Sequence, residues 1–143
     1  MVTIIETNYP SDIFNYIDER VCNECDYVQS PVALDSVEIL GQPVKRVGNT
    51  LVLCVAGEEA QAIGLVYTKE CLTMEANTNS KEQIAFAVRG NMVLNIDCFP
   101  ENDVAGNPLD NQALAQRYSS LGDISIKDAG GFGLIFTQEG NQV

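Results

Sequence analysis

The strictest alternation of apolar and polar residues runs from Gln83 to Cys98. Ile84, Phe86, Val88, Met92, Leu94, Ile96 and Cys98 share one parity, and Ala85, Ala87, Arg89, Asn91, Val93, Asn95 and Asp97 share the other, which is the period of a strand. A hairpin tipped by Arg89-Gly90-Asn91 is the competing reading. It would pair Val88 with Val93 and Phe86 with Asn95, bringing Asn95 and Asp97 onto the face of Phe86. Parity therefore predicts one long strand bent at Gly90, where the missing side chain lets it pass from one sheet to another.

Before this strand, Met1 to Ile5 is a short β-prone run ended by Asn8-Tyr9-Pro10-Ser11. Ile13, Ile17, Val21, Cys25 and Val28 then follow at spacings of four, four, four and three. That stripe predicts an amphipathic helix, capped by Ser11 and stopped at Ser30-Pro31. Residues 1–33 carry six acids and one base and read as an N-terminal arm, with a mainly-β domain over residues 34–143. In that domain Val37 and Ile39, Val44 to Val47, Leu51 to Ala56, Ala62 to Tyr67 and Cys71 to Met74 are β-like runs separated by turn residues. Gly64 lies inside one of them, as a site of close backbone approach.

After Cys98, the sequence predicts a helix with Asn107 as its cap, Pro108 at its first position, Leu114, Tyr118 and Leu121 as its stripe and Gly122 as terminator. Ile124 and Ile126 alternate as a strand, Gly130-Gly131 forms a hinge, and Phe132, Leu134 and Phe136 alternate again. The expected fold is mainly β, a small barrel or sandwich-like domain with one helix in its C-terminal half, plus the helical arm.

Composition narrows the partners. The 143 residues make one domain, long enough to bury roughly 70% of the unfolded surface without a metal or disulfide. Twenty acids against eight bases give a net charge of −12, which argues against nucleic acid or an anionic membrane as partner. The acids are scattered singly or in pairs and read as a solubilising surface. The N-terminus shows no basic region followed by a long apolar run, and no segment approaches the ~18 apolar residues of a membrane span. A soluble protein made in a cytoplasm is expected.

The absence of histidine removes Ser-His-Asp and Cys-His nucleophile pairs and imidazole zinc sites. Neither a Walker-type phosphate loop nor a dinucleotide fingerprint occurs. Asp97 with Glu101 or Asp103 could form an acid-base pair, although paired acids on a turn are common without function. Of five cysteines, Cys54, Cys71 and Cys98 stand among apolar strand residues and read as reduced, buried small hydrophobes. Cys22-Asn23-Glu24-Cys25 is the one motif with chemical capacity. Neighbouring carboxylates would raise its thiol pKa, and no second cysteine pair completes a zinc set. Cys25 packed in the stripe with Cys22 partly exposed is the simpler expectation. No cofactor and no enzymatic activity are expected.

From about Ile39 onward the order of motifs resembles the head decoration (capsid-stabilising) proteins of lambda-like tailed phages. The resemblance rests on the run into Leu51–Ala56, Ala62-Ile63-Gly64-Leu65-Val66, Ala87-Val88-Arg89-Gly90 entering an alternating strand, the helix around Ala113-Leu114-Ala115, and Leu121-Gly122-Asp123-Ile124-Ser125-Ile126. It implies a trimer seated on the three-fold positions of an expanded shell, with the major capsid protein and further copies of itself as partners and the virion surface as its place. It further implies an arm that orders against the shell, for which Ile4, Ile5, Ile13, Phe14, Ile17 and Val21 are the candidate contacts, and structural roles for Gly64, Arg89 and Gly90. The cysteine pair in the arm and the tail after Gly130 depart from the family pattern.

Two other functions are compatible with the residues. An acidic mimic of nucleic acid would inhibit a nuclease or repressor, but needs carboxylates spaced like phosphates along one face. A thiol or zinc-binding protein would use Cys22 and Cys25.

Overall fold

The computed structural model describes residues 13–17, 23–68, 71–87, 92–122, 124–127 and 134–136. Among them are strands β1 (Phe14–Ile17), β2 (Asn23–Asp26), β3 (Val28–Gln29), β4 (Leu34–Glu38), β5 (Pro43–Val47), β6 (Thr50–Leu53), β7 (Gly64–Val66), β8 (Cys71–Met74), β9 (Ile84–Ala87) and β10 (Met92–Asn95). Helix α1 (Asn111–Ser119) follows, then β11 (Ile124–Lys127) and β12 (Leu134–Phe136). The protein is mainly β, as its alternation predicts. The described strands form open sheets of four (β1-β10-β11-β12), six (β2-β9-β7-β5-β6-β3) and two (β4-β8), without closure into a barrel.

The expected passage between sheets is present. β9 lies in the six-stranded sheet between β2 and β7, whereas β10 lies in the four-stranded sheet between β1 and β11. The two do not pair with each other, so the hairpin reading fails. Ile84, Phe86, Met92 and Leu94 are all buried, in keeping with their shared parity. Arg89 and Gly90, where the bend was expected, lie outside the described residues, as do Ile4, Ile5, Val21, Cys22 and the Gly130-Gly131 hinge.

Two apolar cores lie on opposite faces of the six-stranded sheet. Leu65 and Val66 are consecutive on β7 and fully buried, so the pleat sends them to opposite sides. Leu65 joins Ile13, Met92, Leu94, Phe99, Leu114, Tyr118, Ile124 and Ile126 in the core shared with α1 and the four-stranded sheet. Val66 joins Val28, Leu34, Ile39, Val44, Leu53, Leu72 and Phe86 in the second core, beneath β4 and β8. The chain between β10 and β11 carries α1, and the two strands pair in parallel, Met92 with Ile124 and Leu94 with Ile126. Such a parallel pair requires a crossover, which the helix provides.

The N-terminal helix is corrected to strands. Ile13, Ile17, Val21 and Cys25 are four residues apart, and positions i and i+4 share one face of a strand as well as of a helix. Only the final step, Cys25 to Val28, distinguished the two. It falls where β2 gives way to β3. Pairing decides the matter: Phe14 stands opposite Leu94 and Ile17 opposite Met92, Cys25 opposite Ala85, and Val28 opposite Leu51.

The start of α1 also differs from expectation. Its cap is Asp110, whose carboxylate accepts the Ala113 N–H at 3.1 Å. Pro108 instead bridges to Asn102, and the Asn107 N–H is held by Asp103 at 2.9 Å. Leu114 and Tyr118 are buried as the stripe predicts, and Leu121 packs partly buried beside them.

Candidate functional site

Three carboxylates on two loops form a polar cluster with backbone amides around it. Glu58 and Glu59 follow β6, and Glu59 opens a short 3-10 turn (Glu59–Gln61). Asp103 lies in the loop between β10 and α1. Glu59 and Asp103 are buried, at 6% and 5% exposure, so each needs donors around it. Asp103 receives N–H bonds from Ala56 at 2.7 Å, Ala105 at 2.8 Å and Asn107 at 2.9 Å. Glu59 receives those of Gly57 at 3.0 Å and Asp110 at 2.9 Å. Glu58 receives Val55 N–H at 2.9 Å and the Lys45 ammonium at 2.6 Å.

These bonds fix the electrostatics. Burial raises the Glu58 pKa, but the bonds from Lys45 and Val55 and the Lys45 charge outweigh it, and the carboxyl sits below its ordinary value. Cys54, at the base of the same loop, is pushed up to about 12 by burial and then by the charge of Glu58. Its thiol is therefore protonated and inert at neutral pH. Burial likewise raises the Tyr118 phenol, with Cys54 beside it.

The cluster is a clasp between loops. Every oxygen of Asp103 and Glu59 faces a backbone amide, which leaves Asp103 poorly placed for proton transfer with Asp97. Asp97 is exposed on the 3-10 turn Ile96–Cys98 that continues β10. No periodic cue marks these acids, since they stand in loops. The recoverable signal was Asp103 followed by Ala105, Gly106 and Asn107, a short acid gathering the amides of its own turn.

A second feature is a cleft of about 820 Å³ beside the two-stranded sheet. Strand β8 and residues 78–82 line it together with Ala33, Leu34 and Asp35 at the start of β4. Leu34 faces Met74 across the sheet, and an extra residue in β4 before Val37 makes a bulge. Ser36 occupies that bulge with φ 58°, and its N–H bonds to Thr73 Oγ1 at 3.0 Å. Cys71, expected to be buried, is an exposed free thiol on the cleft wall.

The predicted arm residues divide. Ile13 is 1% exposed, a member of the α1 core; Phe14 and Ile17 are the ends of β1, paired to β10. Cys25 is in β2. Gly64 is buried opposite Val44, where β5 and β7 meet. The strands of this segment occupy sheet edges: β1 closes one edge of the four-stranded sheet, and β2 and β3 close the two edges of the six-stranded one. Each is thus itself an edge strand, and among the described residues β3 gains one further bridge, Gln29 with Asn79.

Comparison with known proteins adds no relative: no family model matches the chain, and no similar curated protein or solved structure is found.

Proposed function

We propose that the chain is a structural virion protein that binds the outside of a phage capsid as a trimer and stabilises the expanded shell. The reading rests on the ordered motifs that resemble decoration proteins, and the clasp is compatible with it. Glu59 and Asp103, the buried carboxylates among the described residues, are occupied by backbone amides, an arrangement that stiffens loops and offers no proton donor or acceptor to a substrate. The resemblance of those ordered motifs to decoration proteins points to the shell as partner, and the larger sheets would be the layers of a sandwich-like body.

In this reading Ile13 serves the body, because its side chain is enclosed in the core. Shell contact falls to the segment containing Ile4 and Ile5 and to exposed surface. The test is light scattering followed by co-sedimentation with purified expanded lambda-type shells. A mass near three times 15.6 kDa and saturable binding in threes are expected. A monomer at tens of micromolar that stays in the supernatant would overturn the reading.

A further inference from the structure

We infer that the cleft beside β8 is a docking groove for an extended basic peptide, a surface that goes beyond shell binding. Its size falls within the range of ligand sites, about 300–1,000 Å³. It follows β8 from Cys71 through Glu75, a path of roughly 13 Å at about 3.3 Å per residue. That length matches four residues of extended chain.

The lining selects the chemistry. Leu34 and Met74 give it an apolar floor, while Asp35, Glu75 and Glu82 stand against the single ammonium of Lys81. All four charged residues are exposed. A chain of alternating basic and apolar residues would lay its apolar side chains on the floor and its cations at the rim, the pattern by which extended peptides are read. The net charge of −12 would speed its approach. Both strands of this sheet, β4 and β8, have a single strand neighbour among the described residues.

The probe is a fluorescent hexapeptide of alternating lysine and leucine, titrated with the full chain and read by anisotropy at about 0.15 M salt. Saturable one-to-one binding is expected, with no binding of the same peptide carrying glutamate for lysine. Cys71→Arg places bulk and positive charge in the cleft from an exposed position and should weaken binding at least tenfold. The pair Asp35→Lys with Glu75→Lys should do the same, and thermal melts report whether each variant stays folded. Asp97→Lys with Glu101→Lys makes the same charge change elsewhere and should leave affinity within twofold. Absence of saturable binding, unchanged affinity in both folded cleft variants, or equal loss in the Asp97 and Glu101 variant would overturn the groove. None of these outcomes depends on whether the chain binds a shell.

Discussion

Asp103 accepts the backbone N–H of Ala56 at 2.7 Å across 47 residues of sequence. One buried carboxylate thereby ties the loop after β6 to the loop that leads into α1. With Ala105 and Asn107 also donating to it, its removal takes the acceptor from three amides at once. A stranded buried donor costs about 1–3 kcal/mol. Ala105 and Asn107 are exposed and water can serve their amides, while Ala56 is half-buried, so Asp103→Ala should destabilise by about 1–3 kcal/mol in urea denaturation. Asp103→Asn keeps an oxygen for Ala105 and Asn107 but turns an NH₂ toward Ala56, and should fall between the two. A loss under about 0.5 kcal/mol for the alanine variant would mean water replaces the carboxylate.

The Glu58 carboxyl carries a pH signature. Its folded pKa lies below the ordinary glutamate value of 4.5, so the unfolded chain takes up the proton first as pH falls. Its contribution is complete above the ordinary glutamate value and is lost as pH drops through the folded one. Stability measured from pH 7 to 3 should decline more steeply below about pH 4.5 in the native chain than in Glu58→Gln or Lys45→Met. The side chain is partly exposed, at 26%, and screening keeps the difference small. Parallel curves for all three proteins would remove the pair from the account.

Cys54 gives the opposite sign at the alkaline end. Its pKa rises from 9.0 to about 12 on folding, so its contribution is intact below pH 9 and is lost as pH climbs toward 12. Cys54→Val should flatten that part of the stability curve. In the native protein at pH 8, peptide mapping after brief alkylation should find Cys71 modified and Cys54 untouched until denaturant is added, since one thiol is exposed and the other fully buried.

Gly41 tests the packing where the N-terminal segment meets the body. Its φ of +83° is a left-handed conformation, and an added Cβ would come within 3.2 Å of Ile13 Cδ1 and 3.3 Å of Pro100 Cδ. Gly41→Ala should cost about 1–2 kcal/mol by calorimetry, combining the backbone penalty with the crowding. Gly57 has a similar φ of +98° but open space around it. Gly57→Ala isolates the backbone share and should cost less.

What the sequence made legible was what periodicity carries. The alternation of Ile84 to Leu94 fixed which side chains are buried, and it favoured a change of sheet over a hairpin. Cys71–Met74 and the stripe Leu114, Tyr118 were read in place for the same reason. A four-residue spacing carries no such information, because it satisfies strand and helix alike, and the choice for residues 14–17, 23–26 and 28–29 was made by the open edges of β10, β9 and β6. The clasp acids and the cleft were invisible because they are built from loops and from the meeting of distant segments, such as Glu59 with Asp110.

The edge strands lead to the sharpest contrast. As an independent arm, residues 1–33 could be deleted with little effect on the body's melting. The pairing of β1, β2 and β3 predicts otherwise. Ile13 and Val28 are each 1% exposed, one in each core. Truncating one buried isoleucine to alanine costs about 2–5 kcal/mol, a large part of the ~5–15 kcal/mol by which a domain is stable. Ile13→Ala should thus lower the melting temperature by several degrees. Deleting residues 1–29 would also uncover the edges of β10, β9 and β6, so the truncated chain should unfold or aggregate rather than remain monodisperse. Recovery of a soluble truncated protein with an unchanged melting transition would restore the independent arm and set aside the pairing of all three strands.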